Sequence, residues 1–258
     1  MNNNNYKDYD AELFRRGFKC DFSKFDLLPD LVSNGFIILR NVLGDSQIKE
    51  FRKIFEDIYA KEGSLAGTEL PQMVGIRRLA NLINKSELFK QIYLNRILLT
   101  TVLFILQKPF KLGSLNGHDP LKGGGLQEFH SDWKYPFDGN NHVMNSIWML
   151  DNFHISNGAT RVIPKSHTIK QSIDEIIENK LDDHPEQVFL EGRAGDLAIF
   201  NSHLWHGSYI NKSGEKRRAY HCYFVARQFP QQTNQKLNLD KDVKIKMGPV
   251  SKYILDID

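Results

Sequence analysis

The chain has 258 residues, 41% hydrophobic and 25% charged, which is the composition of a globular protein with enough length for one large domain. A formal charge of +3, with basic residues dispersed rather than striped, excludes a nucleic-acid surface, and no apolar stretch approaches the length of a membrane span. Cys20 and Cys222 are the only cysteines, so neither a disulfide framework nor a CxxC zinc site can form; with no charged-then-apolar leader, the expected compartment is the cytoplasm.

The asparagine run Asn2 to Asn5 is expected to be a disordered tip. After a polar arm to about Asp30, the β-branched run Gly35-Phe-Ile-Ile-Leu-Arg40 predicts a strand. Asp45 or Ser46 is the predicted N-cap of a helix in which Ile48, Phe51, Ile54, Phe55, Ile58 and Tyr59 recur at helical spacing before Gly63. Ser86 to Gln107 predicts a second helix, with Leu88, Ile92, Leu99, Leu103 and Leu106 on one stripe and Pro109 closing it. From Phe110 onward the signal changes to short β-rich runs punctuated by glycine, proline, asparagine and aspartate. These are Asn145 to Leu150, Ala159 to Pro164 after the Asn157-Gly158 turn, and Asp196 to Phe200 after a turn at Gly192 to Gly195, with a polar helical excursion around Ile169 to Leu181. The expected architecture is mainly β with flanking α-helices, a sandwich or barrel in one domain: a helical part about 1–108, a β core about 109–228, and a C-terminal extension 229–258.

Chemistry concentrates in Leu126-Gln-Glu-Phe-His-Ser-Asp-Trp133. On a strand, residues two apart share a face, so His130 and Asp132 would deliver an imidazole and a carboxylate into one cavity. That is two thirds of the 2-His-1-carboxylate triad, which holds ferrous iron and leaves positions open for oxygen. The third ligand is sought where the Asp196–Phe200 strand ends, in Asn201-Ser-His-Leu-Trp-His-Gly-Ser208. His203 and His206 have opposite parity there, and the sequence downstream selects His206. After Gly207-Ser208 and a turn at Asn211 to Gly214, a returning strand opened by Arg217 would bring a planar guanidinium fork beside it. By the same parity His221 could line the pocket, while Arg218 points away as a solvated or salt-bridging residue whose loss should be nearly silent. Trp133, Tyr135 and Phe137 read either as core aromatics or as a wall of the substrate pocket, and His118, His142, His154, His167, His184 and His203 as surface or hydrogen-bonded histidines.

Taken together, His130-Ser-Asp132, Asn157-Gly-Ala-Thr-Arg-Val-Ile-Pro-Lys-Ser-His167, Gly195-Asp196 and His206-Gly-Ser followed by Arg217 resemble the phytanoyl-CoA dioxygenase family of iron- and 2-oxoglutarate-dependent oxygenases, from about Gly35 to Val225. The resemblance implies a double-stranded β-helix, the cupin-like jelly roll. It implies Fe(II) at His130, Asp132 and His206, with Arg217 and Ser208 on the distal carboxylate of 2-oxoglutarate and Trp148 and Asn116 beside that co-substrate. The implied reaction consumes O2 and 2-oxoglutarate, releases succinate and CO2, and hydroxylates an unactivated C–H bond of a small-molecule substrate. Desaturation, cyclisation or epimerisation on the same fold, or a catalytically silent binding protein, are the alternatives. Family members act on amino acids, alkaloids and antibiotic precursors, so the resemblance does not imply an acyl-CoA substrate. Lys165 departs from the family's usual glycine, which is expected to alter only a surface turn.

Overall fold

The β-rich runs form strands whose pairings are all antiparallel. The protein is described here by a computed structural model covering residues 5–70 and 73–258; the expected disordered tip, Asn5 apart, lies outside the described residues. A six-stranded sheet has the order β1-β7-β4-β9-β3-β2, from β1 (Phe36–Leu39), β2 (Ile76–Leu79), β3 (Phe110–Pro120), β4 (Val143–Met149), β7 (Leu197–Asn201) and β9 (Ala219–Ala226). A three-stranded sheet has the order β6-β5-β8, from β5 (Thr160–Val162), β6 (Val188–Phe189) and β8 (His206–Ser208). Strands far apart in sequence alternate between the sheets, and the result is the jelly roll implied by the motifs, mainly β with flanking helices. Both outer strands of the large sheet, β1 and β2, come from the otherwise helical first hundred residues.

Strand alternation gives the large sheet two different faces. On β4, Met144 and Trp148 join an apolar cluster with helical residues such as Phe51, Phe55, Leu99 and Leu103. Ile147 and Met149 join a second cluster between the sheets, with Phe153, Ala198 and Phe200. On β9, Tyr220, Cys222 and Phe224 go to the helices, while His221 and Tyr223 line the interior.

β3 changes faces partway along. Leu112 pairs with Phe224 and Ser114 with Tyr223, so Gly113 is an extra residue in the ladder. Phe110 and Leu112 therefore pack toward the helices before the bulge, whereas Ser114, Asn116 and His118 line the interior after it. A Cβ on Gly113 would meet the Tyr223 ring, so the bulge requires a residue without one.

Helix α1 (Asp45–Glu62) buries Ile48, Phe51, Phe55 and Ile58, the predicted stripe, and ends at Gly63 with φ 54°. Its N-cap is Gly44 rather than Asp45 or Ser46, and the Gly44 N–H donates to Gln47 Oε1 at 3.0 Å. The single helix predicted from Ser86 to Gln107 is instead broken: α2 (Arg96–Leu106) is bent by 43° from the preceding segment Glu87–Tyr93. Asn95 causes the break, because its backbone is extended and its side chain accepts the Leu98 N–H at 3.1 Å as a cap. Among the described residues no single helix is long and apolar enough to cross a membrane. The excursion predicted around Ile169 to Leu181 contains one helical turn, Ile173–Ile176. At the C-terminus, α3 (Pro249–Leu255) is fastened by Arg227, whose guanidinium lies 3.7 Å from the Tyr253 ring centroid and donates to Asp256 Oδ1 at 2.7 Å.

Gly113→Ala should lower stability by about 1–3 kcal/mol, the usual cost of overpacking a filled site. Urea denaturation at constant m-value measures it.

Candidate active site

His130 and His206 are joined by reciprocal backbone hydrogen bonds, His130 N–H to His206 O at 2.8 Å and the reverse at 2.9 Å. Directly opposed residues project to the same side, and the two imidazole rings lie 4.4 Å apart between centroids. The segment around His130 is not the strand assumed from the sequence; it contributes an isolated bridge to β8. Asp132 is fixed by a further bond from its N–H to Ser202 O at 3.0 Å. Its Oδ1 then lies 3.9 Å from His130 Nε2 and 3.8 Å from His206 Nε2. Ligand atoms of all three residues fall within 4.8 Å of one another.

Hydrogen bonds orient each of these groups. His130 Nδ1 faces Glu128 O at 3.0 Å and His206 Nδ1 faces Leu204 O at 2.8 Å. A carbonyl only accepts, so each Nδ1 carries the proton and each Nε2 keeps a free lone pair for a cation. Asn145 Nδ2 donates to Asp132 Oδ2 at 3.1 Å, which leaves Oδ1 toward the imidazoles. Burial would raise the Asp132 carboxyl, but His206, His130 and the Asn145 bond overcome it and hold it below the usual carboxylate range. Burial, helped by His130, pushes His206 down to about 4, so its ring is neutral near pH 7.

Gly207 explains how the bridge can be so close. A Cβ there would lie 2.8 Å from Glu128 O and 2.9 Å from Gln127 O, so only glycine lets the His130 segment lie against β8. The chain leaves the large sheet at Asn201, turns, and re-enters the small one as β8. His203 sits in that turn and is not on one continuous strand with His206, so the parity comparison between them has no physical basis here. His203 Nε2 instead accepts the His142 N–H at 3.2 Å.

A cavity of about 180 Å³ opens beside this cluster. Ser208 and Asn116 line it, Ser208 Oγ donating to Gln127 Oε1 at 2.7 Å while Asn116 Oδ1 is buried without a partner. His221 also lines it, as its parity suggested. His118, read from the sequence as a bland histidine, lines it too, its ring 4.6 Å from that of His221. Its Nε2 accepts from Arg78 Nη2 at 3.3 Å, a pairing visible only once β2 lies beside β3. Burial pushes His221 down to about 3 and His118 well below its ordinary value.

Arg217 is 1% exposed and is not on the cavity wall. Its guanidinium lies over the Phe153 ring at 4.7 Å, with Nε and Nη1 lacking a hydrogen-bond partner among the described residues. Asp119 attracts the guanidinium only through space, without bonding it: Oδ1 accepts the Arg217 backbone N–H at 3.0 Å and Oδ2 is taken by Arg77. Burial pulls Arg217 down to about 10, so it stays cationic at neutral pH. Trp148 does not join this group. It is fully buried in the helix-side cluster, because Asn145 and Ile147 occupy the inward positions of β4 and alternation sends Trp148 outward. Arg218 points away from Arg217, as parity required, and of the two readings it is the salt-bridging one: it holds Asp151 through Nε at 2.8 Å and Nη2 at 2.9 Å, and Glu56 through Nη1 at 2.9 Å. Lys165 occupies its exposed turn with φ 68°, the left-handed region that glycine normally fills.

On its other side His130 also lines a second cavity of about 210 Å³, walled by Trp133, Tyr135, Phe137 and Trp205. The aromatics that follow the His-Ser-Asp motif are therefore pocket wall, and Trp133 also packs against the buried cluster of Val143, Tyr223 and Val225.

A model of the family described as phytanoyl-CoA dioxygenase (PhyH) matches residues 31–219. The chain belongs to that family. The peroxisomal phytanoyl-CoA dioxygenase of Bos taurus is 25% identical over 228 residues, covering 74% of this chain and 65% of that protein, so the match spans just under two thirds of the relative. Among solved structures, HygX from Streptomyces hygroscopicus with nickel and 2-oxoglutarate bound is similar at a TM-score of 0.67 and 18% identity, covering 80% of this chain and 88% of HygX. The epimerase SnoN in complex with Fe3+, alpha ketoglutarate and nogalamycin RO is similar at 0.63 and 15% identity, covering 78% and 83%. These structures share the jelly roll, and the PhyH match begins before β1 and ends at the start of β9.

Gly207→Ala should displace the His130 segment and weaken divalent-metal binding at least about tenfold, read by titration with Mn(II). Arg218→Met should cost about 1–3 kcal/mol of stability, because Asp151 loses two charge-assisted hydrogen bonds and keeps only Arg52 and a backbone N–H, while leaving 2-oxoglutarate affinity in the folded fraction unchanged. Thermal unfolding and calorimetric titration separate these effects.

Proposed function

We propose that this protein is an Fe(II)- and 2-oxoglutarate-dependent dioxygenase that hydroxylates an unactivated C–H bond of a small metabolite or natural-product intermediate, forming succinate and CO2. The observation that carries the reading is the convergence of His130 Nε2, His206 Nε2 and Asp132 Oδ1 on one point beside a cavity backed by an unpartnered, buried arginine. Two imidazoles presenting Nε2 and one carboxylate suit ferrous iron, and their grouping on one side leaves the cavity side free for other ligands. Bound iron would supply oxygen activation coupled to decarboxylation of the 2-oxoacid.

The chain's own residues bind, orient and shield. Arg217 Nε and Nη1 would receive the distal carboxylate of 2-oxoglutarate, since a buried guanidinium without an anion is too costly to keep. Ser208 would turn its hydroxyl from Gln127 to the same carboxylate, and Asn116 flanks it. Asn145 keeps Asp132 ligating through one oxygen. His118 and His221, neutral by burial, wall the co-substrate without competing as charges. An intact ligand set argues against a silent binding protein, and epimerisation, the activity named for SnoN in complex with Fe3+ and alpha ketoglutarate, is the second reading.

Purified protein given Fe(II), 2-oxoglutarate and oxygen should release succinate, and His130→Ala, Asp132→Ala or His206→Ala should each reduce this to background with the fold retained by circular dichroism. Retained turnover in any of them would refute the ligand assignment. Arg217→Met should raise the KM for 2-oxoglutarate about tenfold to a hundredfold at saturating iron, with Arg217→Lys intermediate because it keeps the charge and loses the fork. An unchanged KM in Arg217→Met would remove Arg217 from the co-substrate site.

A further inference from the structure

We propose that the oxidisable substrate enters at the end of the metal-site cavity remote from Arg217, where the Tyr223 hydroxyl and the Gln232 amide donate hydrogen bonds to an uncharged oxygen function of the substrate, a hydroxyl or a carbonyl. The inference rests on the proposed function, and it concerns the cavity that all three ligand residues line. Tyr223 and Gln232 lie beyond residue 219, where the match to the family ends.

Strand register orders the cavity. Arg217 stands just ahead of β9, and β9 then presents His221 and Tyr223 to the interior. Arg217 and Tyr223 are therefore six residues apart, about 20 Å on an extended chain. A five-carbon 2-oxoacid held by its distal carboxylate at Arg217 covers well under half of that span and extends toward the layer of His221 and its cross-strand partner Asn116. The next layer is left over. In it Ser114 and Asn145 stand opposite Tyr223 on the two flanking strands. Asn145 donates to Asp132 Oδ2 at 3.1 Å, and directly opposed side chains lie about 5 Å apart at Cβ, so a molecule bonded to Tyr223 sits beside the ligand cluster.

The bulge at Gly113 builds this layer. It turns Ser114 to the interior and leaves room for the Tyr223 ring, since a Cβ on Gly113 would lie 2.4 Å from Tyr223 Cδ1. The carbonyl of this extra residue accepts the Thr233 N–H at 2.9 Å, while Ser114 Oγ donates to Gln232 Oε1 at 2.6 Å. A segment following β9 is thereby fastened at the mouth, in the way bulges beside active sites re-aim side chains. With Oε1 held by Ser114, Gln232 keeps its Nε2 hydrogens to give, and Nε2 has no protein partner among the described residues. The Tyr223 hydroxyl has none either, and although the residue is only 7% exposed its hydroxyl is not sealed from solvent. Burial, and then the Asp132 charge, hold the phenol above its ordinary value, so it keeps its proton and donates.

Charge selects the class. Ser114, Asn145, Tyr223 and Gln232 are uncharged, and the carboxylate nearest them, Asp132, is a metal ligand. Arg78, the cation on the cavity wall, pairs in register with His118, four residues along β3 from Ser114 and about 13 Å away on an extended strand. An ammonium or a carboxylate in the Tyr223 layer would be desolvated without a counter-charge, whereas two donors satisfy a neutral oxygen.

The test loads the full chain anaerobically with Mn(II) and 2-oxoglutarate and measures the affinity of four probes that share one ring: cyclohexanol, cyclohexanone, cyclohexylamine and cyclohexanecarboxylate. Broadening of the probe proton resonances against a Zn(II)-loaded control reports both binding and approach to the metal. The alcohol and the ketone should bind at least about threefold more tightly than the ammonium or the carboxylate. Tyr223→Phe, which keeps the ring and removes the donor, should weaken both about threefold to tenfold, the loss of one hydrogen bond, without changing the 2-oxoglutarate isotherm. Gln232→Glu, at an exposed position that Ser114 can still bond, should strengthen the ammonium at least about threefold. Charged probes binding the unaltered protein as tightly as the neutral ones, no broadening of any probe, a silent Tyr223→Phe or a silent Gln232→Glu would overturn the substrate assignment while leaving the oxygenase reading intact. Absence of the Mn(II)-dependent 2-oxoglutarate isotherm itself would overturn both.

Discussion

Two backbone hydrogen bonds, exchanged between His130 and His206, are the constraint on which the site depends. They tie an irregular segment to a three-residue edge strand of the small sheet, and everything that makes them possible lies elsewhere in the chain. Gly207 must lack a Cβ, the turn after Asn201 must carry the chain from one sheet to the other, and Ser202 must present its carbonyl to the Asp132 N–H. Three side chains separated by up to 76 residues thereby acquire fixed relative positions without any of them lying on a long strand. Pre-organisation here is a property of the backbone, and the side-chain bonds to Glu128, Leu204 and Asn145 only choose which atom faces inward.

Several polar atoms in the interior of the roll have no protein partner among the described residues. Arg217 Nε and Nη1, His221 Nε2 and Asn116 Oδ1 are all buried without partners, within or behind one cavity. A buried guanidinium left alone costs several kcal/mol relative to a paired one, so a structure that keeps it is strained toward an anion. The opposite face of the same sheet shows what the chain does when no ligand is expected. There, Met144, Trp148, Tyr220 and Phe224 pack against α1 and α2 in a continuous apolar cluster. One sheet therefore carries a mainly apolar cluster on one face and most of its polar side chains on the other.

Which features were legible in the sequence follows from the range of the interactions that produce them. Period-two runs and turn residues are local, so β4, β7 and β9 and the stripe of α1 could be read directly, as could the grouping of His130, Asp132 and His206 through its motifs. Asn95 hides its break because an asparagine inside an apolar helical pattern looks like a gap until its side chain is seen capping Leu98. His118 was missed because its role depends on Arg78 arriving from β2, 40 residues earlier. Trp148 was misplaced because resemblance fixes an aromatic in the motif's neighbourhood without fixing which face of β4 it occupies. The Gly113 bulge could have given Asn116 its inward direction, but a glycine in a strand signals a bulge without saying which way the ladder shifts.

Arg217 and Arg218 show how much rests on a single residue of register. They are adjacent, of one chemistry and both nearly inaccessible, at 1% and 9% exposure. Just ahead of β9, one turns into the roll, where no carboxylate waits, and the other turns toward Asp151 and Glu56, which saturate it. Asp119 governs the division by accepting the Arg217 backbone N–H while Arg77 neutralises its other oxygen, so the nearest carboxylate pins Arg217 in register without quenching its guanidinium. A slip of one residue would turn Arg217 toward Asp151 and Glu56 and send the apolar residues of β9 to the interior face, so the ion pair of Arg218 and the apolar pattern of β9 hold the register that keeps Arg217 facing the roll. The residue with no apparent catalytic part is the one that makes its neighbour available.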